Sequence, residues 1–449
     1  MMKLSASYSW MFLLPFAGLA VTANQARAIP AFASQTGQPC TACHIGAFGP
    51  QLTPLGRAFK IGGYTQGGGD GLAASIPLSV MIQSSFNNTG ADQNPPPQHY
   101  GPNNNVSLDQ ISVFVGGHLG DHTGGFLQLT WSDVNNTSHV DNMDLRPYTT
   151  VLDVGGKELR VGVTLNNAPT VQDPYNTTFG WGFPYIASLL AATPTGNPAL
   201  ASGLGQSAIG YTVYAWYDSK LYLEGGAYNT LSPWTLTRIG NGFGVGSTVN
   251  PAPYLRAAYE WQWGTSAAHI GTTFLNVNAN PMNGASGVDQ YTDYAFDGSY
   301  QFLGDGTHVV TVQGIYTYET QNLVASAAAN GVSGSKYNLS QIRANVSYWY
   351  QNTYGVTLGW QRTWGPANPI LFSGGGSVNQ KPNSNALIVE ADWVPFGKDT
   401  SYLAPFVNLK LGVQYTAYTQ FNGGSSNYDG AGTNASDNNT LLVFAWLIF

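Results

Sequence analysis

From about residue 75 onward, the sequence repeats a unit of about ten residues in which apolar and polar side chains alternate, followed by a break. In one such unit Leu255 and Trp261 share one face, while Arg256 and Glu260 share the other. This pattern is typical of strands that cross a membrane with one face in lipid and the other in a polar lumen. Because an open sheet edge cannot be left in lipid, the strands are expected to close into a barrel.

The breaks between these units are alternately short and long. Short turns are predicted at about 119–124, 155–157, 218–220, 264–266, 304–307, 351–354 and 396–405, and long loops at about 88–106, 134–143, 166–207, 230–252, 278–290, 320–339, 365–383 and 422–437. The segments between them give an all-β fold of roughly 16 antiparallel transmembrane strands, an even number as in other bacterial barrels. Long loops are expected outside the cell and both termini in the periplasm.

The composition agrees with a chain that is dispersed by lipid contact. Charged residues make up 9% of the chain, against about 25% in an average soluble domain. Aromatic residues reach 13%, which disfavours a disordered polymer. The formal net charge of −7 disfavours nucleic acid as a partner. A soluble array of β-sandwiches is the alternative, but it would not require the alternation of short and long connections.

The N-terminus carries a predicted export signal. An apolar stretch from Trp10 to Ala23 follows Lys3 and precedes the small-x-small sequence Ala26-Arg27-Ala28. These features predict a secretory signal peptide over residues 1–28, with an uncleaved anchor as the alternative. The closing strand, LLVFAWLIF, resembles the recognition signal of outer-membrane proteins. The outer membrane of a Gram-negative bacterium is therefore the predicted location.

Both cysteines of the chain lie in one motif, Cys40-Thr41-Ala42-Cys43-His44. This spacing is the attachment sequence for haem c: two thiols bond the haem vinyl groups, and the following histidine ligates the iron. The alternatives are a disulfide closing a very small loop, or a partial metal site. The sequence predicts one covalently attached haem c, with Cys40 and Cys43 as thioether attachments and His44 as proximal ligand. The predicted haem segment, 29–72, is short and partly helical, and is expected to plug the lumen of a barrel over 73–449.

A second axial ligand has two main candidates, both predicted to point into the lumen. Met81 lies on the polar face of the first strand, and His118 lies at the periplasmic end of the second, with His122 in the next turn. Arg57 and Lys60, in the haem segment, are candidates for pairing haem propionates, or are solvated helix cations.

The last strand has an apolar face where a polar one is expected. Phe444, Trp446 and Ile448 should face the lumen near its periplasmic end. A water-filled pore would not favour these residues there. A lumen that is plugged by an apolar cofactor would.

These features together resemble the fused monohaem cytochrome–porins of iron-oxidising bacteria, over essentially the whole mature chain. The matching segments are PAF-x7-CTACH at 30–44, PLGRAFK-x-GGY at 54–64, FVGGHLGDHTGGFLQLTWSD at 114–133, VPFGK at 394–398, NLKLGVQYTAY at 408–418 and the closing NASDNNTLLVFAWLIF. The resemblance implies electron uptake from extracellular Fe(II), with His44 as proximal ligand. It assigns no distal ligand.

The predicted function is therefore that of an Fe(II):cytochrome c oxidoreductase in the outer membrane. Single electrons would pass from extracellular Fe(II) to a periplasmic carrier, either a c-type cytochrome or a blue-copper protein. Inward carboxylates such as Glu260, Glu390 and Asp392 would offer transient cation sites or simply make the lumen polar. The alternatives are a porin or diffusion channel with an accessory haem segment, a conduit for another extracellular donor or acceptor, and a haem peroxidase.

Overall fold

The computed structural model describes residues 30–69, 77–97, 99–281, 285–373, 376–398, 400–401, 403 and 406–449. The predicted signal peptide and the predicted boundary between residues 72 and 73 lie outside these residues. Most of the described chain is in β-strands.

Sixteen long strands, β1 to β16, are present in the described part of the chain. In order they are Leu78–Thr89, Asn105–Gly120, Thr123–Ser132, Thr137–Val154, Lys157–Asn166, Ala208–Tyr217, Leu221–Thr230, Ala252–Trp263, Ser266–Asn280, Asp289–Phe302, His308–Asn322, Lys336–Tyr350, Tyr354–Trp364, Ser384–Trp393, Asn408–Gln420 and Thr440–Ile448. A two-residue strand, Ser247–Thr248, pairs with the end of β9.

The strands form one closed antiparallel barrel. Each long strand pairs with the next in sequence, and β1 pairs with β16 in a register that places Met81 opposite Ile448. Closure leaves no free sheet edge, which is the condition for placing a sheet in lipid. The predicted 16-stranded antiparallel barrel is confirmed.

The two faces of the barrel differ as the alternation predicts. On β8, Leu255, Tyr259 and Trp261 are exposed on the outer face, whereas Arg256 and Glu260 are buried in the lumen. An apolar, aromatic outer surface on a closed barrel is the property of a transmembrane barrel of the outer-membrane type. No helix in the described ranges is long and apolar enough to cross a membrane.

Turns and loops alternate as expected, with one correction. Residues 134–143 are predicted to form a long loop, but only residues 133–136 connect β3 to β4. Asn136 adopts a left-handed conformation in this tight turn, with φ 48°. The polar residues that follow, including Asp141 and Asp144, are buried inward-facing strand residues. These residues are polar because they face the lumen. Over a short segment, such polar residues look like those of a loop, so the sequence pattern did not distinguish the two.

The N-terminal segment 30–69 is helical, as expected, and lies inside the barrel. Its helices are α1 (Pro30–Thr36), α2 (Cys40–Cys43) and α3 (Pro54–Ile61), with a 3-10 turn at Ile45–Ala47. Thr53 begins α3 because its hydroxyl accepts a hydrogen bond from Gly56 N at 3.2 Å and Pro54 suits the first helical position. A side chain at Gly56 would collide with the carbonyl oxygen of Cys43. This glycine therefore allows α3 to pack directly on the turn that carries the two cysteines.

The long connection between β5 and β6 also folds into the barrel. Within this segment, called here the inner loop (residues 167–207), a continuous stretch from Asn167 to Thr178 is buried. The inner loop and the N-terminal segment touch each other: Asn176 donates from Nδ2 to the carbonyl oxygen of Pro50 at 2.7 Å. The lumen is thus filled by the N-terminal segment toward the periplasmic end and by the inner loop toward the outside.

Shorter elements complete the loops. They are α4 (Pro233–Ile239) and α5 (Val324–Asn330), 3-10 turns at Phe179–Trp181 and Ala435–Asn438, and a π-type turn at Ala199–Gly203.

Candidate haem site in the barrel lumen

The CxxCH motif occupies one helical turn followed by extended backbone. Cys40 and Cys43 lie three residues apart in α2, so both thiols project from the same side of the turn. His44 then turns into extended geometry, with φ −124° and ψ 137°, while its N–H bonds the carbonyl oxygen of Cys40 at 2.8 Å. Its backbone forms a β-bridge with Leu52. The motif is therefore held in a fixed shape by its own chain.

The imidazole of His44 is oriented by the neighbouring turn. Its Nδ1 lies 3.3 Å from the carbonyl oxygen of Gln51, so Nδ1–H donates and Nε2 remains available. Metal-ligating histidines usually have their second ring nitrogen held in this way. Burial lowers the pKa of His44 to about 4, so that the ring is neutral above that pH. A neutral imidazole is the form that binds a metal.

The two cysteines are free thiols rather than a disulfide. Asn408, at the start of β15, approaches Cys40 Sγ at 3.7 Å from Nδ2 and bonds the carbonyl oxygen of Ala47 at 2.8 Å. Burial raises the pKa of Cys40 to about 12 and that of Cys43 to about 11. Both thiols are thus protonated, and neither is poised as a reactive thiolate.

The surroundings of the motif fit a haem. Cys43 and His44 are half-buried. The walls near Cys40 are apolar and include Phe48 and Trp349. Trp446 packs edge-on against Phe48, with ring centroids 5.0 Å apart, and its buried Nε1–H has no hydrogen-bond acceptor in the described structure. Apolar walls with one orphaned donor suit a flat apolar cofactor that carries anionic edges.

The inward apolar face of the last strand is confirmed. Phe444 is buried, and Trp446 and Ile448 are packed in the lumen against the N-terminal segment. Their apolar character is explained by this packing, because the lumen at their level contains protein rather than water.

The two candidate distal ligands fall in different environments. Met81 is buried and points inward, as predicted, in a cluster that includes Phe59 and Tyr64 and touches Trp446. His118 is exposed at the periplasmic end of β2, and only its backbone N–H contacts the N-terminal segment. No hydrogen bond among the described residues brings the imidazole of His118 to the CxxCH motif, so its role as a ligand stays a prediction.

His122 lies in the turn after β2, where the sequence places it. Its Nδ1 is 2.8 Å from the carbonyl oxygen of Thr149. The described contacts do not bring it to the CxxCH motif.

Arg57 forms its hydrogen bonds with the barrel wall and with its own segment, and its guanidinium group is therefore not available to a haem propionate. Its Nη2 and Nε donate to the carboxylate of Glu260, at 2.5 and 3.2 Å, and Nη1 donates to Gln301 Oε1 and the carbonyl oxygen of Leu52. These contacts correct the expectation that Arg57 pairs with a haem propionate. The pair of Arg57 and Glu260 instead anchors α3 to β8. Sequence reasoning placed Glu260 in the lumen but had no signal for its distance from Arg57.

Lys60 likewise has protein partners. Its ammonium group donates to the carbonyl oxygens of Val171 and Asp173 at 2.7 and 2.8 Å and to Asn176 Oδ1 at 2.9 Å. Burial lowers the pKa of Lys60 to about 8. It ties α3 to the inner loop and is neither a solvated cation nor placed at a propionate.

Two further ion-pair groups, not identified from the sequence, neutralise lumen carboxylates. Lys410 lies between Glu390 and Asp392, at 3.1 and 3.2 Å. Arg256 binds both Asp173 of the inner loop and Asp297 of β10. The alternation placed Glu390 and Arg256 on the inner face, but only the closed barrel shows which strands bring these residues to their partners. Of the three carboxylates proposed as cation sites, each is already paired with a cation of the protein.

The fold and the contents of its lumen define a transmembrane β-barrel of the outer-membrane type. No protein-family model matches the chain, and no curated protein matches it. Among solved structures it is similar to OprB of Pseudomonas putida at high pH, with 12% identity and a TM-score of 0.48 over 83% of this chain and 93% of that chain. It is also similar to the outer-membrane channel DcaP of Acinetobacter baumannii, with 12% identity and a TM-score of 0.47 over 83% and 96%. The anion-selective porin from Comamonas acidovorans shows 12% identity and a TM-score of 0.44 over 83% and 98%.

Proposed function

We propose that this protein is an outer-membrane cytochrome–porin that takes single electrons from extracellular Fe(II) and passes them to a periplasmic carrier. The observation that carries the proposal is the CxxCH motif inside the barrel, with His44 Nδ1 held by the Gln51 carbonyl and Nε2 left free. In balance, Fe(II) gives one electron and becomes Fe(III), and the carrier is reduced by one electron.

One haem c, when bound, supplies a reversible one-electron centre. Cys40 and Cys43 would hold it by thioether bonds, and His44 would ligate its iron. The Gln51 carbonyl fixes the imidazole orientation, and Gly56 lets α3 support the cysteine turn. The surrounding apolar side chains exclude water, which favours a high reduction potential because burial disfavours the more charged ferric state.

Met81 is proposed as the second residue that would hold the iron. Asn408, which contacts Cys40, is paired with Ile448, and Ile448 is paired with Met81 on its other side. Met81 thus lies two strands from Asn408 at the same level, about 10 Å around the wall. Both Met81 and the neighbourhood of Cys40 pack against Trp446. Methionine ligation raises haem potential, as the oxidation of Fe(II) requires.

Replacing Met81 with histidine is expected to lower the haem midpoint potential, because an imidazole donates more electron density to ferric iron than a thioether does. Potentiometric titration of the purified protein measures the effect. His118→Leu is the matched control and should leave the potential unchanged, since that side chain is exposed. A drop in His118→Leu with none in Met81→His would assign the ligand to His118.

The periplasmic end is the proposed exit for the electron. The 3-10 turn after His44 touches the periplasmic turns: Gly46 N bonds Asn352 Oδ1 at 3.0 Å, and Ala47 packs on Gly397. A soluble carrier can therefore approach the haem segment through one layer of turns. The extracellular side is separated from the motif by the inner loop.

A solute channel is the second candidate, and the barrel architecture favours it. The inner loop and the N-terminal segment fill the lumen across its width, however. The single-channel conductance of the full chain in planar bilayers is expected to lie well below that of a water-filled porin with the same number of strands. A conductance equal to that of such an open porin would favour the channel.

The proposed function is tested by an optical spectrum of the detergent-solubilised protein, recorded before and after anaerobic addition of Fe(II) at acidic pH. The expected result is a c-type haem that converts to its reduced form. A haem that ignores Fe(II) but accepts electrons from dithionite would retain the electron-transfer role and remove the iron donor.

A further inference from the structure

Two carboxylates face each other in the extracellular half of the lumen. Asp293 on β10 is directly opposite Glu319 on β11, and the two side chains are 0% and 1% exposed. Facing residues on antiparallel strands have Cβ atoms about 5 Å apart, so these two carboxyl groups lie close to each other. Two buried negative charges at this separation require neutralisation, by a proton or by a cation.

Neither carboxylate has a cationic partner among the described residues. Asp293 Oδ2 accepts from the backbone N–H of Leu200, and Glu319 Oε2 accepts from that of Ala199, each at 2.6 Å. Glu319 Oε1 accepts from the amide of Gln321 at 2.6 Å. Asp293 Oδ1 has no hydrogen-bond donor. The pair formed by Glu390 and Asp392 differs, because Lys410 lies between its members.

A third oxygen beside the pair is also without a partner. Thr317 precedes Glu319 by two residues, so both side chains lie on the inner face of β11. The side chain of Thr317 is fully buried, and its hydroxyl has no hydrogen-bond partner in the described structure. Leaving a buried hydroxyl without a partner is destabilising. Its presence beside two uncompensated carboxylates points to a missing ligand.

We propose that Asp293, Glu319 and Thr317 bind a divalent metal cation. The three residues offer hard oxygen ligands, the donors preferred by Mg²⁺, Ca²⁺, Mn²⁺ and, in mixed coordination, Fe²⁺. The amide of Gln321 lies outside this ligand set, because its Nε2 donates to Glu319 Oε1 and its Oε1 accepts from Asn368 Nδ2 at 3.0 Å. Backbone N–H groups of Ala199 and Leu200 hold Glu319 Oε2 and Asp293 Oδ2, whereas Asp293 Oδ1 and the Thr317 hydroxyl have no partner in the described structure.

This metal site does not involve the haem, so its test is independent of the proposed function. The role of the site in Fe(II) uptake, however, rests on that function. The pair lies beneath residues 199–203 of the inner loop, between the extracellular mouth and the N-terminal segment. An Fe(II) ion that enters the lumen would meet these carboxylates before it reaches the haem segment.

The test is Mn²⁺ binding, measured by electron paramagnetic resonance on the purified full chain after removal of metals with a chelator. Equilibration is overnight, because residues 199–203 cover the site. The wild-type chain is expected to bind one Mn²⁺ at this site, and the double variant Asp293→Asn, Glu319→Gln is expected to lose it. The matched control is Asp289→Asn on the same strand, whose carboxylate is fully satisfied by Ala325 N, Ser326 N and Ser326 Oγ. It should retain the Mn²⁺.

Equal Mn²⁺ binding by the wild type and the double variant, or no binding by the wild type, would overturn the proposal and leave a shared proton between the carboxyl groups. Barrel folding is checked by heat-modifiable migration. If the double variant does not fold, Mn²⁺ binding is measured on Thr317→Val instead. A weakened Mn²⁺ signal in that variant supports the site, and an unchanged signal contradicts it. The Fe(II)-reduced spectrum of the same samples reports on the haem separately.

Discussion

Replacing Cys40 and Cys43 together with serine is expected to abolish covalent haem entirely while leaving the barrel folded. The two thiols are the chain's complete set of cysteines, and thioether attachment requires sulfur. Neither thiol contributes a disulfide to stability. The haem content is measured by in-gel haem staining after denaturation, and the loss of Fe(II)-dependent reduction is followed in the optical spectrum.

The matched control is Thr41→Ala, within the same turn, since Thr41 lies between the cysteines and contributes no sulfur. It should keep wild-type haem content. Heat-modifiable migration of the double serine variant separates loss of cofactor from loss of fold. Covalent haem that survives the double substitution would refute the assignment of the attachment site.

Replacing Arg256 with leucine is expected to lower the free energy of unfolding by about 3–5 kcal/mol, because it leaves the buried Asp173 without its cation and Asp297 with only His269 Nε2 beside it, at 3.2 Å. Arg256 is fully buried. Its Nη2 contacts Asp173 Oδ1 at 3.1 Å and Asp297 Oδ2 at 2.9 Å. Asp173 belongs to the inner loop, so the same change should release the loop from the wall and raise the channel conductance. Urea unfolding in detergent and planar-bilayer recording measure the two effects.

Arg343→Leu is the control, because this lumen arginine has neutral hydrogen-bond partners, Gln341 and Asn197. Removing this arginine leaves no carboxylate without a cation. The loss in the free energy of unfolding should therefore be less than half of that caused by Arg256→Leu. If both variants unfold alike, the ion-pair network around Arg256 does not hold the inner loop.

Much of the barrel could be predicted from the sequence because a membrane imposes period-two alternation on every strand. The faces of β8 and β16 follow directly from that rule, including the apolar inner face of Phe444, Trp446 and Ile448. The CxxCH turn could be predicted because its chemistry fixes residue type and spacing. Met81 was correctly placed on the inner face, because the alternation along the first strand puts it on the polar side.

Other features depend on contacts between segments that are distant in sequence. The pairing of Arg57 with Glu260 joins residues about 200 positions apart, and no local pattern reports it. The inner loop was recognised as a long loop, yet its composition gave no sign that it enters the barrel. The start of β4 was missed because lumen-facing polar residues have the composition of a loop.

The most direct measurement uses proteoliposomes that contain the purified protein, with an oxidised soluble electron carrier trapped inside and Fe(II) added outside at acidic pH. The carrier is chosen so that its reduction potential lies above that of the Fe(III)/Fe(II) couple at that pH. The trapped carrier should become reduced with the wild-type protein and remain oxidised with the Cys40→Ser, Cys43→Ser variant. Reduction at the same rate with both proteins would show that Fe(II) crosses the barrel or the lipid by itself, and would contradict electron transfer through the haem segment.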